Sequence, residues 1–223
     1  DYPPTFSYHS PWMAEYHVLA DYFTRVSHAL SRGKQINPCL VLEPTTTAWM
    51  HHFTGTEKMK TLGDTFQSLV VALAKAQVEF DLGSESIIRE RGAVAQAADG
   101  KAAFRVGERD YTVVVVPEGT ENLNRETLEL LKAYLDKGGL VLSCAGPELP
   151  SHVDGRAGDE CAALRASANW RQIAPGAAAE QITAAVNPAL RVVPAPDNKG
   201  IVYHHRRQLA DGEILFITNT SND

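Results

Sequence analysis

The sequence predicts an α/β fold: a mostly parallel sheet with helices on both faces, in three layers. Apolar runs of strand length at residues 39–43, 78–82, 111–116 and 140–144 alternate with helix-period segments at βαβ spacing. The run Val113-Val114-Val115-Val116 is β-branched throughout and shows no polar alternation, as expected of a strand covered on both faces. With 223 residues and 44% hydrophobic content, the chain can bury a full core.

Taken in order, residues 15–31 place Leu19, Tyr22, Phe23, Val26 and Leu30 at the three-to-four spacing of one helix face. Pro11 is placed to open that helix and Gly33 to stop it. Residues 39–43, held between Pro38 and Pro44, read as a buried strand. A polar and aromatic loop is expected over 45–55. A second amphipathic helix follows, carrying Met59, Leu62, Phe66, Leu69, Val70 and Leu73. Residues 78–82 form the next strand, and Ser84 caps a short helix ending at Gly92. Residues 102–106 and 111–116 flank Gly107-Glu108-Arg109-Asp110, a hairpin pattern. Asn124 caps a helix with Leu128, Leu131 and Leu135 on one side, stopped by Gly138-Gly139, and residues 140–144 return as a strand. The Ala-, Gly- and Pro-rich stretch 147–200 is expected to form loops around one or two helices. Asp211-Gly212 signals a hairpin between 201–207 and 213–217, which should close the sheet as an antiparallel pair.

The formal charge of -6 and the lack of any Lys/Arg run argue against nucleic acid and acidic membrane partners. No apolar run nears the roughly 18–20 residues of a membrane span. Cys39, Cys144 and Cys161 form no disulfide framework and no CxxC. Asp1 stands where a Met would start a chain, and an apolar run, Ile214-Leu215-Phe216-Ile217, lies just before the last residues. These features lead to the expectation of a segment cut from a longer parent, with any complete catalytic centre elsewhere.

In open parallel sheets ligands bind beyond the carboxyl ends of the strands, here residues 43–49, 117–122 and 144–148. Cys144, at a strand end, is the candidate nucleophile of a class I amidotransferase-like hydrolase. That chemistry needs a base and an orienting carboxylate, and no His-x-Glu pair follows. Pro147 and Pro150 also spoil the helix that should support an oxyanion hole, so a small buried thiol is the simpler reading. Thr45-Thr46-Thr47 sits where a flavin phosphate would be held, which makes a flavin or small-ligand module the third reading. No glycine accompanies the threonines, however. The eight histidines give no HExxH and no ligand-spaced cluster, so neither metal nor cofactor is expected. Tyr8, His9, Trp12, Trp49, His51 and His52 combine stacking faces with directional donors, a mix suited to sugars. With Glu43 and Thr45, the residues His9, Trp12 and Trp49 form the candidate carbohydrate rim, and His9, Trp12, Glu43 and Trp49 are expected around one junction with at least one aromatic face open to solvent. For each ring alone, packing between helix and sheet is the plainer role.

The stretches Phe6-Ser7-Tyr8-His9-Ser10-Pro11-Trp12, Leu19-Ala20-Asp21-Tyr22-Phe23-Thr24-Arg25 and Ala29-Leu30-Ser31-Arg32-Gly33-Lys34 resemble large bacterial multidomain glycoside hydrolases of the family 106 α-L-rhamnosidase type. Leu42-Glu43-Pro44-Thr45-Thr46-Thr47-Ala48-Trp49-Met50 and Tyr203-His204-His205-Arg206-Arg207 extend that resemblance. It implies a parent with a catalytic (β/α)8 barrel, then a flavodoxin-like domain similar to class I glutamine amidotransferases and to β-galactosidase trimerisation domains, then β-sandwiches. Residues 1–36 would end the barrel with a loop and helix, and 37–223 would be the flavodoxin-like domain. On this resemblance the segment is a structural accessory domain with no catalytic residues of its own. Its partners would be the barrel and β-sandwich domains of the parent, and an oligosaccharide at the rim. Localisation would be extracytoplasmic.

Overall fold

The computed structural model describes residues 8–53, 55–97, 100–193, 195–197 and 199–220. Phe6 and Ser7, which open the aromatic stretch, lie outside the described residues. The elements run α1 (Tyr16–Ser31), β1 (Lys34–Gln35), β2 (Cys39–Leu42), α2 (Thr45–His51), α3 (Thr56–Lys75), β3 (Phe80–Gly83) and α4 (Glu85–Arg91). Next come β4 (Gly92–Gln96), β5 (Ala102–Val106), β6 (Arg109–Tyr111), β7 (Val113–Val116), β8 (Asn122–Leu123), α5 (Arg125–Asp136) and β9 (Leu140–Ser143). The chain continues through β10 (His152–Val153), β11 (Arg156–Ala157), α6 (Ala162–Arg165), β12 (Trp170–Gln172), α7 (Ala178–Val186), β13 (Val202–Gln208) and β14 (Glu213–Asn219). These elements form two compact units. One holds the described residues up to Ile36 together with His204–Thr218, and the other holds Asn37–Tyr203 and the described residues from Asn219 on.

The larger unit is built on a five-stranded sheet in the order β12-β9-β7-β2-β3, parallel throughout. Numbered along the chain, that is the order 2-1-3-4-5 of flavodoxin-like sheets, read from the β3 edge. Side-chain alternation along each strand makes the three layers. Leu40, Leu42, Val114, Val116 and Val141 face one core with Ile88, Leu128, Leu131 and Tyr134 from α4 and α5. Cys39, Val41, Val113, Val115 and Leu142 face the other with Leu73 from α3 and Ile182 from α7. Each of these aliphatic side chains contributes about 1.5–3 kcal/mol on full burial. The fold class is therefore as expected.

Five local expectations are corrected. Residues 45–51 form α2 rather than a loop, with the Thr47 side chain tied to the segment after β7, as described below. The expected hairpin is real only between β5 and β6, which pair with Arg105 opposite Asp110. At Thr112 the chain leaves that small antiparallel sheet, β4-β5-β6, and enters the parallel one as β7. The stretch 147–200 contains three short strands besides its helices, and β12 forms the sheet edge. Asn124 and Ser84 occupy N-cap positions with extended backbone, but neither side chain makes a capping bond. The first N–H of α5, from Arg125, is taken instead by Asp154 Oδ1 at 3.0 Å.

The fifth correction concerns the smaller unit. β13 and β14 do not extend the parallel sheet; they form a separate sheet in the order β1-β13-β14. Lys34 and Gln35 pair antiparallel with Gln208 and Arg207, which a two-residue strand gives no sequence pattern to announce. Gly33 ends α1 with φ +63°, and the Arg207 guanidinium donates to the Arg32 and Gly33 carbonyls at 2.7 and 2.8 Å. Helix α1 itself starts later than Pro11, after a 3-10 turn at Met13–Glu15, and buries none of its residues.

Candidate functional site

The strand order reverses between β2 and β7, and the crevice at that point is where open α/β sheets bind ligands. Its walls come from α2, α3 and the turn after β7. Thr47 is 1% exposed, and its Oγ1 accepts the Glu121 and Asn122 N–H groups, each at 3.0 Å. That bond pair fixes α2 to the exit of β7. One turn on, His51 Nε2 sits 3.1 Å from Glu121 Oε2, while Lys58 Nζ lies 3.9 Å from the other carboxylate oxygen. A cleft of about 300 Å³ opens here, with Leu62, Glu118 and Gly119 completing it.

Beneath this lies a buried carboxylate. Glu85, 5% exposed, accepts the Thr46 hydroxyl and the Asn124 N–H, both at 2.6 Å. Burial raises its pKa above the ordinary carboxylate value, opposed by the hydrogen bonds from Thr46 and Asn124. Glu85 thereby joins three elements: α2, α4 and the start of α5. Its position at the first turn of a short helix gives the ordinary signature of a surface acid, so the sequence does not single it out.

A second cleft, of about 440 Å³, lies at the carboxyl ends of β7, β9 and β12. Glu118 and Thr65 line both clefts. Asp64, Ser68 and Leu69 of α3 form one wall of the larger cleft, Pro175 and Ala178 the opposite wall, with Cys144 between. Asp64, Thr65 and Ser68 carry the pattern of a solvated helix face, and nothing in the sequence marks them as cleft-lining.

Cys144 lies at the expected strand end, with its N–H on the Val116 carbonyl at 2.8 Å. Burial, with a smaller contribution from the Glu118 charge, pushes its thiol up to about 11. No histidine or carboxylate bonds its sulfur among the described residues. The chain after it makes a turn through Gly146 (φ +118°) rather than a helix. A thiol in this setting is held protonated at neutral pH, the opposite of what nucleophilic catalysis needs.

The rim candidates are distributed over both units. Tyr8 and His9 are exposed with ring centroids 3.9 Å apart, and Trp12 sits 6.2 Å from Tyr16, all in the smaller unit. Glu43, Thr45 and Trp49 belong to the larger unit. The Glu43 N–H pairs with the Gly83 carbonyl at 3.0 Å, Thr45 opens α2, and Trp49 is 69% exposed. His51 turns to Glu121, while its neighbour His52 is exposed with its ring against Phe53. The expected hydroxyl-rich phosphate loop is replaced by helix, with Thr46 and Thr47 both engaged by protein groups. Among the described residues no group of three His, Cys, Asp or Glu could hold a metal ion. No described helix is long and apolar enough to cross a membrane.

No protein-family model matches the chain, and no curated protein does. Among solved structures, the chain is similar to a rhamnosidase from Novosphingobium sp. PP1Y, with a TM-score of 0.61 and 15% identity. The likeness covers 97% of this chain and 20% of that chain. The two proteins thus share a fold over nearly the whole of this chain, which spans about a fifth of the rhamnosidase's length.

Proposed function

We propose that this chain is a structural, non-catalytic accessory module of a longer bacterial glycoside hydrolase of the α-L-rhamnosidase kind. In that role it packs on a catalytic (β/α)8 barrel of the same parent, ahead of β-sandwich domains, and lends exposed rim residues such as Trp49 to an oligosaccharide. The carrying observation is the fold match: 97% of this chain is similar to a fifth of a rhamnosidase. The environment of Cys144 supports the same reading, since a buried thiol raised to about 11 suits a core position and not an amidotransferase nucleophile. Glycoside hydrolysis uses two carboxylates flanking the scissile bond, and on this proposal the barrel supplies them.

The test is turnover of an aryl α-L-rhamnoside by the purified 223-residue chain, with and without added divalent cations. The expected result is no turnover above buffer. Saturable turnover by the chain alone would place a catalytic centre within it and overturn the accessory reading.

A further inference from the structure

We infer that the larger cleft, beside Cys144, is a binding site for a small organic ammonium ion, a protonated amine on a short apolar body. Its volume of about 440 Å³ falls in the roughly 300–1,000 Å³ range of small-molecule sites. It also lies where doubly wound sheets receive ligands, beyond the strand carboxyl ends.

The chemistry of the wall selects the ligand class. Glu118 is half-buried in the cleft and makes no hydrogen bond or ion pair to any described residue. A carboxylate drawn out of bulk water without a partner calls for a cation or strong donors. The nearby hydroxyls cannot supply them. Thr65 Oγ1 donates to the Thr61 carbonyl at 3.0 Å and Ser68 Oγ to the Asp64 carbonyl at 2.7 Å, so both keep only acceptor capacity. Of the remaining lining, Asp64 adds a second, exposed carboxylate, while Leu69, Ala72 and Ala178 are apolar. Cys144, 3% exposed and without a hydrogen-bond partner for its sulfur among the described residues, adds a soft, neutral surface.

A ligand that fits such a wall brings donors, no acceptors and an apolar remainder. An ammonium group has three donors and no acceptor. A carboxylate ligand brings lone pairs alone and would set acceptors against the side-chain acceptors of the wall, while a sugar hydroxyl can donate to Glu118 but carries no charge to match it. The site is built from residues of the larger unit only. It stands or falls independently of the accessory role.

The experiment is a two-dimensional amide NMR titration of the whole chain with n-butylammonium chloride. Methyl glucoside and sodium butyrate are run alongside at matched ionic strength. Saturable shifts at Glu118, Ser68 and Ala178 are expected with n-butylammonium, and none with the other two. Glu118→Gln keeps the size and removes the charge, and should weaken binding about tenfold. Ser68→Phe, at an exposed helix position, places a ring in the cleft and should abolish the shifts while leaving the fold intact. Three results would each overturn the site: no saturable shift with n-butylammonium, equal binding to Glu118→Gln, or methyl glucoside binding as well as the amine.

Discussion

Thr47 Oγ1 accepts the Glu121 N–H at 3.0 Å, and that one bond joins the helix after β2 to the turn after β7. It has a twin at Asn122, so a single buried hydroxyl satisfies two backbone donors at the point where the sheet order reverses. Replacing it with an isosteric methyl leaves both donors without an acceptor. Thr47→Val is therefore expected to cost about 1–3 kcal/mol in urea unfolding, while Thr47→Ser retains most of the stability. Equal stabilities for the Val and Ser variants would show that the hydroxyl does not hold this junction.

Glu85 gives the junction a pH dependence. Burial raises its folded-state pKa, so the folded chain binds that proton more tightly than the unfolded chain. Its contribution is fully present below the unfolded carboxyl value of about 4.3. It is lost as pH rises through the folded value. Glu85→Gln can accept the Asn124 N–H and donate to Thr46, which removes the titration and keeps both contacts. The stability of wild type minus that of Glu85→Gln should fall as pH rises above about 4. A difference that is flat or rises with pH would contradict the buried-carboxylate account.

The fold was legible wherever burial alone decides structure. β2 and β7 are unbroken apolar runs because both faces are covered, and α5 shows its leucines because one face is. What escaped depends on contacts distant in sequence. Residues 45–47 are threonines, poor helix formers, and they become helical where Thr47 and Thr46 find partners at Glu121 and Glu85. The antiparallel partner of β13 is a two-residue strand 174 positions earlier, beyond any local signal. The site was half visible: Cys144 and residues 117–122 follow from strand ends. Asp64, Thr65 and Ser68 show only the pattern of a wet helix face.

Cys144 should behave as a core thiol. Cys144→Ala is expected to cost on the order of 1 kcal/mol. In the native chain, iodoacetamide at neutral pH should modify it far more slowly than a free model thiol, because burial holds the thiol up at about 11. Rapid alkylation with the fold intact would reopen the nucleophile reading.

In the smaller unit, Gly33 is required by geometry. Its φ is +63°, and a Cβ there would collide with the Gln208 carbonyl oxygen. Gly33→Ala should cost at least about 1 kcal/mol and speed hydrogen exchange at Gln35, where β1 pairs with β13. Unchanged exchange would mean that β1 does not depend on this turn.

The accessory role is tested most directly by the reading frame that encodes the chain. On the proposed role the frame runs upstream of the Asp1 codon into sequence for a (β/α)8 barrel carrying a pair of catalytic carboxylates, and downstream into β-sandwich sequence. A start codon directly before Asp1, with no barrel in the same frame, would contradict it.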